Sequence, residues 1–408
     1  MWLRAKRRAQ LPNWRERAGD YDIERKRDRK RIWLHAVSVG EVRAAEPILS
    51  ELRAVLPDHE VVITVTTSTG YGVAQKLLGE LAHAVYYFPL DIPRFCVNAM
   101  FRVEPAVVAV METELWMNFL TAAKSIGART CLLNARVSDR SYRRARWLRF
   151  FYRAVLARVD ECLAQSEVDA ERLRSLGART VRVIGNCKFD EALREEGSTS
   201  FRSLMNLKDG EPLIVVGSVR GEDEERLVIE ALAGIGARIL FAPRHIERAN
   251  EVVEMAKERG FDVGRRSLGE VEKPFVVLDT LGELSGAYVG ADVAIVGGGF
   301  SRLGGQNLIQ PMAAGVPVVC GQHMFNFRSA FDEALREGAA VVAGDATSLR
   351  SAVESLLADA DLRAKMGNAG RRVVERNRGS ARRYAEEVAR LAREFHEARS
   401  ARRKQERG

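Results

Sequence analysis

The stretch from Val293 to Phe327 restricts the fold of this chain more than any other segment. It opens with four apolar residues, Val293–Val296, as a buried parallel strand would. Three glycines follow at 297–299, and two more at 304 and 305 precede a helix that we predict to start near Gln306. Glycine lets the backbone turn tightly and approach a ligand, and helix N-termini attract anions. The stretch therefore predicts either a phosphate site on a parallel sheet or an ordinary crossover whose glycines only form the turn.

The length and composition of the chain predict a globular protein of two domains. With 408 residues, the chain exceeds the size at which a single hydrophobic core keeps growing. Its 46% hydrophobic and 29% charged residues are typical of folded proteins. The net charge of +9 favours acidic partners, and leaves nucleic acid, anionic lipid and phosphorylated substrates open. Five scattered cysteines without a CxxC pair indicate a reducing compartment and argue against a zinc site.

Residues 1–31 form a basic N-terminal arm in which Trp2, Trp14 and Tyr21 lie between arginines and lysines. Such an arm either contacts an anionic membrane surface or stays solvated. No run of about 18 apolar residues occurs, so the sequence predicts no transmembrane helix. No apolar core follows the basic N-terminus, so it predicts no signal peptide.

Short apolar runs alternate with amphipathic segments throughout the chain, which predicts two doubly wound parallel sheets. In the first half we predict strands at residues 32–37, 61–66, 85–88, 106–110 and 130–133. The predicted organisation is a Rossmann-like domain at 32–195, a linker at 196–210, a second Rossmann-like domain at 211–385, and a C-terminal helix with a basic tail at 386–408.

Acidic residues follow two strands of the predicted first sheet. Glu41 lies in a turn between a strand and a helix, and Glu112 and Glu114 follow another strand. Open parallel sheets bind ligands at this carboxyl edge, so we predict one polar site there, with Glu41 as a general base toward a hydroxyl. The alternative is a glutamate that only favours a helix N-terminus. The helix dipole would also lower its pKa, so a basic role requires the site to offset that effect.

The segment from Arg136 to Arg158 combines eight arginines with five aromatic residues. As a single helix it would have a basic face and an aromatic face. It would bind lipid phosphates at a membrane surface or bind nucleic acid. The alternative is a solvated helix that buries its aromatic side chains.

Arg244 follows a predicted strand of the second sheet, where its guanidinium could bind a phosphate in a bidentate manner or form a surface salt bridge. The chain has no GxGxxG after its first strand and no GxxxxGK[ST], which argues against a dinucleotide enzyme and a P-loop NTPase. Two doubly wound domains that face each other across a cleft are typical of a GT-B glycosyltransferase using a nucleotide-sugar.

Several motifs, spaced along nearly all of the chain from about Trp14, together resemble the 3-deoxy-D-manno-octulosonic acid (Kdo) transferases. They are WLHAVSVGE (33–41), METELWMNF (111–119), LNARVSDRS (133–141), IGNCKFD (184–190), APRHIER (242–248), LDTLGEL (278–284) and GGQNLIQPMAAGVPVVCGQHMFNF (304–327). Members of this family transfer Kdo from CMP-Kdo to a lipid A precursor in lipopolysaccharide core biosynthesis.

The resemblance implies an inverting transfer without a metal or a cofactor, with CMP-Kdo as the donor substrate. It implies a peripheral protein at the cytoplasmic face of the inner membrane, which contacts an anionic membrane surface and binds no nucleic acid. Glu41 would be the catalytic base. Acceptor-binding residues would be Ser38, Gly40, Glu114, Asn134, Arg136, Ser138, Arg140 and Ser141. Donor-binding residues would be Ser218, Arg244, His245, Gly282, Glu283, Leu284, Gly297, Gly298, Gly299, Asn307 and Gln310.

The chain departs from the family pattern at four positions. Gln306 replaces a histidine, Gln310 a glutamate, Val219 a hydroxyl residue and Met117 a proline. Three of these lie on the donor side, which leaves open a different CMP-linked keto sugar acid or acceptor, or a non-catalytic relative. The family's N-terminal membrane anchor is also missing, so we expect either a shortened start or surface binding in its place.

Overall fold

A computed structural model of the chain describes residues 13–25, 28–194 and 201–405. These residues form two compact units. The first unit runs to Glu191 and includes the chain again from Arg378, and the second runs from Ala192 to Asn377. Each unit contains one seven-stranded parallel sheet, which confirms the predicted α/β class.

The strands of the first unit are Arg31–Ala36 (β1), Glu60–Val65 (β2), Ala84–Tyr87 (β3), Val107–Met111 (β4), Arg129–Ala135 (β5), Glu161–Ala164 (β6) and Val181–Val183 (β7). Their order in the sheet is β3-β2-β1-β4-β5-β6-β7. The helices in this part of the chain are Trp14–Arg17, Val39–Val55, Ser68–Leu78, Pro93–Val103, Met117–Ser125, Asp139–Trp147, Arg149–Leu156, Glu167–Leu176, Lys188–Arg194 and Ser380–Gln405. The winding reverses between β1 and β4, and doubly wound sheets bind ligands at such a switch point.

Both faces of the first sheet are covered, which explains why β1 is a continuous apolar run. Successive side chains of a strand point to opposite faces. Ile32 and Leu34 pack in one cluster with residues of the helix Val39–Val55. Trp33 packs in the opposite cluster, where its ring centroid lies 4.9 Å from that of Phe119. A strand buried on both faces gains stability from apolar residues at every position.

The last helix, Ser380–Gln405, belongs to the first unit. The Tyr384 hydroxyl donates to the Gly185 carbonyl over 2.7 Å, and the Asp190 carboxylate accepts from the amides of Gly379 and Ala381. The second domain therefore ends at Asn377, and the predicted boundary at residue 385 is wrong. The apolar residues of this helix pack in one core cluster of the first sheet. Their burial there favours the return of the chain to the first unit.

The predicted N-terminal arm is partly an element of the first unit. The Tyr21 hydroxyl donates to the Tyr87 carbonyl over 3.0 Å, and its ring packs edge-on against Trp33. The buried Arg17 donates to the Thr66 carbonyl, so neither residue belongs to a solvated arm. Residues 1–12, with Trp2, lie outside the described residues. Among the helices that the structure describes, none combines the length and apolarity needed to cross a bilayer.

The predicted linker at 196–210 is also shorter than expected. Residues 196–200 lie outside the described residues. The helix Phe201–Leu204 follows, and Phe201 and Met205 are buried in a core cluster of the second unit. The sequence prediction missed these two apolar residues because the average composition of the segment is polar.

The strands of the second unit are Leu213–Val219 (β8), Arg238–Pro243 (β9), Val263–Arg265 (β10), Phe275–Val277 (β11), Val293–Val296 (β12), Val318–Cys320 (β13) and Ala340–Val342 (β14). Their order is β10-β11-β9-β8-β12-β13-β14, with the switch point between β8 and β12. The α-helices are Phe201–Leu204, Glu222–Leu232, Ala249–Glu258, Leu284–Tyr288, Ile309–Ala314, Arg328–Arg336, Ala346–Ala358 and Ala360–Asn377, and the 3₁₀ helices are Ile246–Arg248 and Arg266–Leu268.

The glycine-rich stretch contains both predicted strands, but its helix begins at Ile309 rather than near Gln306. The Gly305 amide donates to the Gly298 carbonyl over 2.7 Å, and the Gln306 amide donates to the Gly297 carbonyl over 3.0 Å. These bonds hold residues 305 and 306 against the glycine turn and delay the helix.

The arginine-rich segment forms two helices rather than one. Asp139–Trp147 and Arg149–Leu156 meet at Leu148, whose φ of −105° and ψ of 31° interrupt the helical path. Trp147 and Phe150 lie at the junction and are 90% and 76% exposed, so the alternative in which the aromatic side chains are buried does not hold for these two. Tyr142 and Tyr152 are half-buried against the first unit's core.

Leu391 tests the assignment of the last helix to the first unit. It is buried in the core cluster beneath the first sheet. We expect Leu391→Ala to lower the free energy of unfolding of the first unit by about 3 kcal/mol, because a buried leucine is replaced by a cavity. Urea unfolding measures this loss. The exposed Glu397 on the same helix provides the control, and equal effects of Leu391→Ala and Glu397→Ala would contradict the assignment.

Candidate active site

The first unit presents acidic side chains at its switch point. Glu41 lies in the first turn of the helix that follows β1, and Glu112 directly follows β4. The helix begins at Val39, so Glu41 lies within it and not in a turn before it. Because β1 and β4 are paired neighbours, their carboxyl ends bring these residues to one edge of the sheet.

Hydrogen bonds and burial fix the Glu41 carboxyl group. One oxygen accepts from the Val37 amide over 2.8 Å, and the other accepts from the Ser38 hydroxyl over 3.1 Å. The residue is only 8% exposed. Burial, followed by the negative charge of Glu112, raises its pKa to about 8, although both hydrogen bonds act in the opposite direction. The site therefore offsets the effect of the helix N-terminus, as a basic role requires.

Glu112 and Glu114 make this edge strongly acidic. Glu112 has a positive φ of 53°, a left-handed conformation that is uncommon for residues other than glycine. Its carboxylate lies 3.4 Å from the Lys188 ammonium group. Burial, and then the charge of Glu112, raise the pKa of Glu114. Lys188 was not among the predicted site residues, although it lies in the IGNCKFD motif.

Gly40 and Asn134, two other predicted acceptor residues, differ in exposure. Gly40 is exposed, and a side chain at its position would meet nothing within 4 Å. Asn134 is fully buried with a φ of 53°, and its side-chain oxygen accepts from the Cys187 amide over 3.2 Å. This hydrogen bond links β5 to the residues that follow β7, so Asn134 stabilises this edge of the sheet from a buried position.

The NARVSDRS segment continues from β5 along the same edge. The Arg136 amide donates to the Thr113 hydroxyl over 3.2 Å, which ties the segment to the residues after β4. Ser138 caps the next helix by accepting from the Ser141 amide, and their hydroxyl groups lie 2.9 Å apart. The side chain of Arg140 lies outside the described residues.

The second unit places its glycine turn at the switch point between β8 and β12. Glu224 is 2% exposed, and its carboxylate accepts from the amides of Gly298 over 2.7 Å and Phe300 over 2.9 Å. A Cβ at Gly297 would lie 2.4 Å from the Val219 Cα, so glycine is required there by close packing. Two amides of the turn are thus occupied by a carboxylate of the protein itself.

The remaining predicted donor residues surround this edge in different roles. Asn307 lies just before the helix Ile309–Ala314, and its side-chain oxygen accepts from the Ile309 amide over 3.0 Å. Glu283 pairs with Arg266 over 2.9 Å beside the exposed Gly282. The other six predicted residues are Ser218 at the end of β8, Arg244 and His245 after β9, Leu284 at the start of the helix Leu284–Tyr288, Gly299 in the glycine turn, and Gln310 within the helix Ile309–Ala314.

Sequence reasoning missed Glu224 altogether. It lies in the acidic run at residues 222–225, which we interpreted as an ordinary helix start. The available signal for Glu224 was an acidic run that follows a strand, in a chain with a glycine turn much further along. Its partners lie 74 and 76 residues further along the chain, so no local pattern identifies them.

Comparisons with known proteins define the class first. A family model described as glycosyl transferases group 1 matches residues 281–373. A glycosyltransferase from Rickettsia africae has the same fold, with a TM-score of 0.62 at 13% identity, over 92% of this chain and 99% of that one. With its two parallel sheets, the protein is a glycosyltransferase of the GT-B fold, as the sequence predicted.

Closer relatives define the family. A model described as 3-deoxy-D-manno-octulosonic-acid transferase (kdotransferase) matches residues 12–191. The 3-deoxy-D-manno-octulosonic acid transferase of Bordetella pertussis is 38% identical over 371 residues, which cover 86% of this chain and 85% of that protein. The protein of the same name from Haemophilus influenzae is 33% identical over 366 residues, with the same coverage. The chain belongs to the 3-deoxy-D-manno-octulosonic acid transferase family.

The raised pKa of Glu41 predicts a pH-dependent stability. The folded protein holds this proton up to about pH 8, well above the ordinary value of 4.5. Wild-type stability should therefore fall as the pH rises between these values. A glutamine has no proton to lose, so we expect Glu41→Gln to become progressively more stable than wild type over this range and then level off.

Urea unfolding at about pH 5, 7 and 9 measures the difference between Glu41→Gln and wild type. Glu80→Gln, at an exposed position of the same unit, is the control and should show no such trend. A constant difference across the pH range would contradict the raised pKa of Glu41.

Proposed function

We propose that the protein transfers Kdo from CMP-Kdo to a hydroxyl group of a lipid A precursor, with inversion at the anomeric carbon. Family membership supports the donor and the glycolipid acceptor. The buried Glu41 is the observation that carries the mechanism, because a carboxyl with a pKa near 8 is a far stronger base than an ordinary glutamate. We assign the acceptor side to the first unit and the nucleotide side to the second.

The reaction is a single displacement. The acceptor oxygen attacks the anomeric carbon of Kdo and passes its proton to the Glu41 carboxylate. The bond between that carbon and the phosphate oxygen breaks, and CMP leaves with the bonding electrons. Attack from the face opposite the leaving group inverts the configuration. Lys188 and the hydrogen bonds from Val37 and Ser38 hold the acidic edge in place. The leaving phosphate needs positive charge, which the second unit offers at Arg244.

Replacing Glu41 tests the role of the base. We expect Glu41→Gln to lower the rate of transfer by about 10²- to 10⁴-fold with the fold intact, because the amide cannot accept the proton. The assay measures transfer of radiolabelled Kdo to a tetraacylated lipid A precursor. For wild type, kcat/KM should rise with pH up to about 8, since Glu41 must be ionised. Glu80→Gln should behave as wild type, and undiminished transfer by Glu41→Gln would refute the role of Glu41.

We also propose that the protein acts as a peripheral protein at the cytoplasmic face of the inner membrane. The membrane-contacting surface would be the helix junction at residues 143–153, hereafter the aromatic–arginine junction. Leu148 and Phe151 are exposed there beside Trp147 and Phe150. Exposed aromatic side chains flanked by arginines suit the boundary between lipid headgroups and acyl chains.

The charges of the aromatic–arginine junction favour anionic lipid as its partner. Among the described residues, no carboxylate pairs with Arg144, Arg146 or Arg149, which are all exposed. Each basic residue near an anionic surface contributes about 1 kcal/mol to membrane binding. The acceptor is itself a phosphorylated lipid, so a surface that binds anionic headgroups would concentrate the enzyme where its substrate lies.

Removing both exposed rings tests this surface. We expect Trp147→Ala/Phe150→Ala to weaken binding to vesicles containing phosphatidylglycerol by more than about tenfold, because each buried aromatic side chain contributes about 2 kcal/mol. Co-sedimentation measures the affinity. Phe101→Ala is the matched control, since Phe101 is a 53% exposed aromatic residue of the same unit. Equal binding by the double variant and the control would exclude the aromatic–arginine junction as the membrane contact.

A further inference from the structure

The glycine turn of the second unit does not offer all of its amides to a phosphate. The Glu224 carboxylate already accepts from Gly298 and Phe300, and it accepts from the Arg220 amide over 2.7 Å. A second anion placed on the same amides would be repelled by this buried charge. The phosphate of a nucleotide donor therefore requires positive charge from side chains close to this turn.

A bulge at the end of β8 directs the chain toward such a site. The register between β8 and β9 shifts between Gly217 and Val219, and Ser218 between them has a φ of 57°. Bulges of this kind re-aim side chains next to functional sites. Beyond the bulge, Val219 pairs with Pro243, so Arg220 and Arg244 leave neighbouring strands at the same level of the sheet edge.

The two arginines lie close together without a compensating carboxylate. The Arg244 amide donates to the Val219 carbonyl over 2.8 Å, which fixes the two strand ends side by side. Partial burial and then the positive charge of Arg220 lower the pKa of the Arg244 guanidinium. In the described part of the chain neither guanidinium forms an ion pair. Neighbouring arginines repel each other until an anion binds between them, so their uncompensated charge indicates an anion site.

We propose that Arg220 and Arg244 together bind the phosphoryl group of the CMP donor, while Glu224 occupies the glycine turn as a fixed internal anion. This inference rests on the proposed function and adds Arg220, which no sequence motif assigned to the donor site. Arg220 binds the phosphate. Glu224 positions Arg220 by accepting a hydrogen bond from the backbone amide of Arg220. When the bond to Kdo breaks, negative charge grows on the leaving phosphate, and two guanidinium groups stabilise it where a metal ion would otherwise be needed.

Binding of CMP and of cytidine separates phosphate recognition from recognition of the nucleoside. We expect Arg220→Gln to weaken CMP binding by about tenfold, the loss of one charge-assisted hydrogen bond, and to leave cytidine binding unchanged. Arg220→Lys should restore part of the CMP affinity, because it keeps the charge without the planar fork. Isothermal titration calorimetry measures each affinity on the full chain.

Arg226→Gln is the matched control, because Arg226 is exposed on the helix that follows Arg220 and pairs with Glu222 over 3.0 Å. It should bind CMP as wild type does. Unchanged CMP affinity in Arg220→Gln, or an equal loss of CMP and cytidine affinity, would overturn the assignment of Arg220 and leave the proposed function intact. A wild-type protein that binds neither CMP nor cytidine would overturn the proposed function together with this inference.

Discussion

The burial of the Glu41 carboxyl beside two other carboxyl groups is the constraint on which the candidate active site depends. An ionised carboxylate in this position is disfavoured by desolvation and by Glu112 and Glu114. The protein maintains the arrangement because β1 and β4 are locked side by side in a sheet buried on both faces. Two hydrogen bonds then fix the carboxyl oxygens. The stable sheet thus maintains an unfavourable electrostatic environment that raises the proton affinity of the Glu41 carboxylate.

Both units have a register shift where strands end at a candidate site. In the first unit the register of β5 and β6 shifts around Asn134, and in the second the register of β8 and β9 shifts around Ser218. Both residues have a positive φ, as does Glu112 after β4. Such conformations cost about 1–3 kcal/mol each and persist only where the surrounding structure enforces them. These two register shifts therefore lie at the edges proposed to bind substrate.

The sequence predicted the elements with local signals and missed those that depend on distant partners. Apolar runs predicted both sheets, because strands buried on two faces need them. The motifs predicted the neighbourhood of Glu41, but not its raised pKa, which depends on burial and then on the charge of Glu112, 71 positions later. The membership of the last helix in the first unit depends on contacts such as Tyr384 with Gly185, 199 residues apart. The role of Glu224 could not be predicted from the sequence for the same reason. Composition averages also concealed Phe201 at the start of the second unit.

Direct analysis of the product tests the proposal that this chain is an inverting Kdo transferase. Wild-type protein in detergent would be incubated with CMP-Kdo, generated in place, and a tetraacylated lipid A precursor. We expect a glycolipid whose mass increases by one or more Kdo residues, with the anomeric configuration of the new linkage inverted relative to the donor. Three results would contradict this proposal: release of free Kdo alone, a retained configuration, or no product from folded protein that binds CMP.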